Sequence, residues 1–75
     1  MTALEPCNGL KAGMVVKDRG GIRKVVTRIA AAHVYWQFLE PRLQREHPGE
    51  HSTAYARFAD THFVTAEIAP IPKAA

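Results

Sequence analysis

The sequence predicts an all-β domain in which five short strands make a small, partly open barrel, with a long loop between strands 3 and 4. Three observations carry this reading. Residues 22–39 are dense in Val, Ile, Thr, Tyr, Trp and Phe, whose bulk suits a pleated, half-buried surface. Within them, Val34, Trp36 and Phe38 alternate with Tyr35, Gln37 and Leu39, the period of a strand with one face on a core. Glycines and prolines then punctuate the chain at Gly20-Gly21, Pro41, Pro48-Gly49 and Pro70, leaving apolar runs of strand length.

Each element follows in turn. Residues 1–10 form a flexible lead in which Pro6, Asn8 and Gly9 break any period. Residues 11–17 make the first strand, and Asp18-Arg19-Gly20-Gly21 turns it, because glycine tolerates the positive φ of tight hairpins. The second strand runs over about 22–30, with Ala31-Ala32 as a short link or bulge. A helix over 25–38 is the competing reading, since its three alanines favour one. Apolar residues there fit no single helical stripe, so strands are preferred. Pro41 ends the third strand because it cannot donate to a ladder.

The connection over 41–51 is polar. Residues 42–46 suit one helical turn with Pro41 at its first position, too short to stand without tertiary support. Alternation resumes over 52–58, with Ala54, Ala56 and Phe58 on one face of a fourth strand. Asp60-Thr61-His62 reads as a tight turn and residues 63–68 as the last strand, after which Pro70 and Pro72 keep the tail out of the sheet. The organisation is thus a lead (1–10), one barrel (11–69) and a tail (70–75). Its core should centre on Trp36, packed against Val15 or Val16, Val26, Ile29 and Phe58, with the indole N–H bonded to a partner.

Size and charge bound what such a domain can do. A chain of 75 residues buries only about 60% of its unfolded surface, which makes a large internal ligand cavity hard to support. No apolar run approaches the ~18 residues of a membrane span, and residues 1–10 lack the pattern of a signal peptide. Cys7 is the only cysteine, so an internal disulfide is impossible and a cytoplasmic setting is expected. The net charge is +3, and Lys11, Lys17, Arg19, Arg23, Lys24 and Arg28 crowd residues 11–28 against Asp18 alone. Arg42, Arg45 and Arg57 lie more dilutely among Glu40, Glu46 and Glu50. Such a distribution suits a phosphate backbone. It equally suits solvated strand positions, where Lys and Arg discourage edge-to-edge pairing.

Five strands in so small a domain point to a barrel of SH3-like type, since closure removes exposed edges. Gly13, Val15-Val16, Gly20-Gly21, Val26, Ile29, Val34 and Trp36 make up a pattern of G-x-V-V, a Gly-Gly turn, V-x-x-I and V-x-W. Over about residues 11–38 it resembles a family of small uncharacterised bacterial SH3-like proteins. The resemblance implies the fold and no activity, and the long 41–51 loop departs from it. Gly13-Met14 and Glu46-His47-Pro48-Gly49 also look similar, more weakly, to plasmid-borne type II dihydrofolate reductases, SH3-like barrels that work as tetramers around a pore. Their Val-Gln-Ile-Tyr signature is replaced here by Ser52-Thr53-Ala54-Tyr55, which lacks the Gln and Ile that touch both ligands. Only Tyr55 carries over, so reductase activity is the remote alternative.

Catalytic signatures are not found. His47 and His51 have the four-residue spacing of a helical metal pair, but Pro48 and Gly49 between them prevent the helix. Cys7 has no base partner in sequence, and there is no phosphate loop or nucleophile elbow. No catalytic residue, metal or cofactor is therefore assigned. Binding has more support. On the strand model Lys24, Arg28, Tyr35, Gln37, Tyr55 and Arg57 share one outer face if strands 3 and 4 are neighbours. Aromatic rings among cations suit single-stranded nucleic acid, and Tyr with Arg equally suits a protein interface; the plainer alternative is that Tyr35 and Tyr55 pair across strands. An open barrel also leaves a strand edge and apolar side chains among Tyr35, Leu39, Leu43 and Phe63 uncovered. The first expectation is a non-catalytic module that self-associates as a homodimer or small symmetric oligomer. A nucleic acid or another protein is the alternative partner, and no membrane is expected.

Overall fold

A computed structural model describes residues 10–71. The lead up to residue 9, including Cys7, and the tail from 72 onward lie outside the described residues. The chain runs β1 (Met14–Asp18), β2 (Arg23–Ala30), β3 (His33–Phe38), α1 (Pro41–Glu46), β4 (His51–Ala54), α2 (Tyr55–Thr61) and β5 (His62–Ile68). The five strands form one antiparallel sheet in the order β4-β3-β2-β1-β5. The mostly β, partly open architecture expected from the sequence is present, with β4 and β5 as unpaired edges, so the sheet is not closed into a barrel.

Local chemistry sets the two hairpins. The Asp18 carboxylate accepts hydrogen bonds from the Gly20 and Ile22 backbone N–H groups at 2.9 and 3.0 Å, an Asx-type turn in which Gly21 takes φ +84°. Between β2 and β3 the turn is only Ala31-Ala32, because Ala30 already pairs with His33. Ala31 sits there at φ +52°, a left-handed conformation that its Cβ disfavours.

The core lies on one face of the sheet. Leu10, Val16, Val26, Val34, Trp36 and Phe58 form one buried cluster, with Met14, Phe38, Ala59 and Val64 packed against it. The Trp36 indole N–H donates to Thr53 Oγ1 at 3.0 Å, the partner that a buried indole requires. Val15 and Val25 are also fully buried but lie outside this cluster, on the opposite side of the strands by their alternation. Two expectations about the core change. Ile29 is 37% exposed, since it sits near the hairpin tip, beyond the main cluster. Leu10, assigned by sequence to the lead, is buried in the core.

The larger correction falls on 52–58. The strand stops at Ala54 and the chain winds into α2, so Tyr55, Ala56, Arg57 and Phe58 are helical, and 60–61 complete that helix instead of making a tight turn. Alanine-rich sequence tolerates the helix, and winding directs Phe58 inward as the one fully buried residue of α2, with Ala59 packed beside it. This helix spans the gap between the two edge strands. The connection over 41–51 contains α1 with Pro41 at its start, as expected; Gln44 ties it to β3 by donating to the Phe38 carbonyl at 2.8 Å. Among the described residues no helix is long and apolar enough to cross a membrane.

Candidate functional site

The six residues expected to share an outer face are distributed over three environments. Two features separate them, a register shift in β2 and the helical winding of Tyr55–Thr61. Lys24 pairs with Phe38 and Val26 with Trp36, on the core face, but the ladder slips at Thr27 and Arg28 pairs with Tyr35. A one-residue bulge reverses which face the following side chains occupy. Lys24, in step with Val26 ahead of the bulge, points inward, contrary to expectation, whereas Arg28, beyond it, points outward with Tyr35.

Arg28 and Tyr35 do come together. The guanidinium carbon lies 3.9 Å from the Tyr35 ring centroid, a cation–π contact. The same guanidinium pairs with Glu50 at 3.3 Å, and the Thr27 hydroxyl donates to that carboxylate. The hydrogen bond from Thr27, followed by Arg28, holds the Glu50 carboxyl below its usual range. Gln37 is half-buried opposite Val25. Tyr55 and Arg57 are carried by α2 and not by a strand beside β3, so the sheet face expected for them does not form. Of the loop histidines, His51 stacks on Trp36 at 4.8 Å and donates to the His47 carbonyl at 3.0 Å. Among the described residues no three His, Cys, Asp or Glu side chains are grouped to hold a metal ion.

A cluster that the sequence reading missed lies at the other end of the core. Lys24, 7% exposed, places its ammonium 4.3 Å from the Trp36 ring centroid, 2.9 Å from His62 Nε2 and 3.4 Å from Asp18 Oδ2. His62, equally buried, is the first residue of β5 and the register partner of Asp18. Its ring stacks on Phe58 with centroids 4.0 Å apart and planes 6° from parallel. Thr61 Oγ1 spends its proton on the Arg57 carbonyl, and His62 Nδ1 lies 2.9 Å from that oxygen and 3.3 Å from the Phe58 carbonyl. Only an Nδ1–H tautomer satisfies those two acceptors, which leaves the Nε2 lone pair to accept from Lys24.

The electrostatics agree with that assignment. Burial, then the neighbouring Lys24 charge, push the His62 imidazole below its ordinary value, against the Phe58 carbonyl and Asp18. Burial likewise lowers the Lys24 amine, opposed by Asp18. Burial acts to raise the Asp18 carboxyl, but the Ile22 N–H, Lys24 and the Gly20 N–H together outweigh it and hold the group low. A neutral imidazole between an ammonium and two acceptors is satisfied on every side. Such closure suits a structural strut better than a reacting centre, since no atom of it is left for a substrate. The signal available in sequence was weak: Asp18 stands out as a turn residue, but nothing marks His62 as its cross-strand partner.

The open feature of the molecule is β5. Seven residues long, it has β1 on one side and, among the described residues, no strand on the other. Phe63 is 40% and Ile68 78% exposed, with Ile71 exposed just beyond. The strand contains neither Lys nor Pro, and its one carboxylate, Glu67, is paired with Arg23 of the same chain. Opposite, the second edge β4 is four residues long. No protein-family model, curated protein or solved structure matches the chain.

Proposed function

We propose that this chain is a non-catalytic assembly module that pairs with a second copy of itself through the open edge of β5. The observation that carries the reading is the seven-residue edge strand with exposed Phe63 and Ile68 and neither lysine nor proline; its ladder with β1 is irregular only between Val64 and Ile68. Edge strands present unpaired backbone groups, and natural domains guard them with charge, proline, bulges or brevity. β4 is guarded by brevity, whereas the bulge in β5 falls after Val64 and leaves His62, Phe63 and Val64 in regular register with β1. A second copy is the favoured occupant because Glu67 is neutralised within its own chain by Arg23, so two β5 edges meet without like-charge repulsion. Antiparallel pairing about a two-fold axis covers both edges at once. A cytoplasmic setting accords with the single cysteine.

Light scattering across micromolar concentrations tests this. The wild-type chain is expected to approach the mass of a dimer or small symmetric oligomer, and Ile68→Lys, at a highly exposed position, to remain folded and monomeric. A wild-type monomer throughout, or an Ile68→Lys variant that assembles equally well, contradicts the proposal. Steeply salt-sensitive binding of a random oligonucleotide by a monomeric chain favours the nucleic-acid reading instead.

A further inference from the structure

We propose that the Lys24–His62 contact is a proton-operated latch that holds α2 and the start of β5 against the sheet and opens when His62 takes a second proton. The inference goes beyond self-association, since it concerns the single folded chain whether or not copies pair.

Its basis is the position of one ring among four elements. His62 follows α2 directly and begins β5; its face covers Phe58, the buried anchor of α2. Nδ1 meets the carbonyl of Phe58, and Nε2 meets Lys24 of β2, which is itself paired to Asp18 of β1. The charged groups acting on the ring are Lys24 and Asp18, while α2 presents only the Phe58 carbonyl and the Thr61 hydroxyl. A proton added at Nε2 converts the acceptor of the Lys24 bond into a second donor. It also places a positive ring against an ammonium 2.9 Å away. Asp18 offers one negative charge for two positive ones. The charged ring relieves this only by turning to water, which removes the stack on Phe58 and the tie between α2 and the sheet.

The direction in pH follows from linkage. The unfolded chain protonates His62 around the ordinary 6.5, whereas the closed latch accepts the proton only at lower pH. The latch is thus fully closed above that ordinary value and weakens as pH falls through the lower, folded-state one.

Imidazole NMR of the full chain, titrated from neutral to acid, is the test, read beside amide exchange of α2 relative to β2 and β3. His62 is expected to titrate below the ordinary imidazole value of 6.5. Exchange protection over 55–62 should drop with the same midpoint, about tenfold for each unit between the closed and open values. Removing the neighbouring cation in Lys24→Met should raise the His62 midpoint. His62→Gln, whose amide oxygen still accepts from Lys24, should abolish the pH-dependent loss of protection. The proposal is overturned if His62 titrates at or above that ordinary value, or if α2 protection does not follow its midpoint. An unmoved midpoint in Lys24→Met, or a transition that persists in His62→Gln, overturns it too. The wild-type titration decides the matter even where a variant does not fold.

Discussion

Lys24 occupies a core-face position that an aliphatic side chain would normally fill, between Val16 and Phe38 in the register. It is tolerated because its charge meets a carboxylate, an imidazole lone pair and an indole face together. Breaking such a set from one side costs more than the set contributes, since a buried charge is left behind. Asp18→Asn keeps the acceptor oxygen of the turn but not the charge, and should destabilise the fold by about 3 kcal/mol, the low end for a broken buried pair; urea unfolding reads this directly. The contribution of Asp18 has its own pH window. Its folded-state value lies below the ordinary 3.8, so the stabilisation is complete above that value and lost as pH falls through the lower one. Ala31 offers the opposite sign. At φ +52° its Cβ is strained, so Ala31→Gly should raise stability by up to about 1 kcal/mol, after the entropy glycine adds to the unfolded chain. A lower urea midpoint for this variant would show that the turn does not hold that strain. At this scale the sequence was least legible. The inward turn of Lys24 follows from plain alternation with Val26, whereas the outward turn of Arg28 depends on the bulge at Thr27 and the pairing of Asp18 with His62 on β5 returning to β1; the last two leave no local trace.

Among the elements, β2 and β3 were readable because their alternation of β-branched and aromatic residues matches what each face packs against. The Pro41-started helix was readable for a similar reason, a local rule that tertiary structure did not need to override. Residues 52–58 were not. Ala54, Ala56 and Phe58 alternate like a strand, but alanine is indifferent to burial, so only Phe58 carried information, and one buried residue fits a helix as well. A single exposed substitution distinguishes the two. Ala56→Val should cost about 0.5 kcal/mol in a helix, where β-branching is disfavoured, and should stabilise a strand. A rise in the thermal midpoint would therefore argue against α2. Phe58→Ala removes the anchor of that helix and should cost about 3–5 kcal/mol, enough to unfold a marginal domain of this size; an unchanged unfolding midpoint would remove Phe58 from the core.

For the whole molecule, an open five-stranded sheet leaves two edges, and the chain treats them differently. β4 is short and leads directly into α2, whereas β5 runs seven residues with apolar side chains in water. That asymmetry was foreseen only in outline. Uncovered apolar side chains, Phe63 among them, and a free edge follow from the sequence, but only the strand order assigns that edge to β5. The proposed role as a self-pairing module rests on that edge, and the most direct test is amide exchange at low and high protein concentration. If copies pair through β5, protection of the 62–68 amides rises with concentration while the short edge β4 stays as it was. Protection in β5 that does not change with concentration, or a rise confined to β4 or α2, contradicts the account.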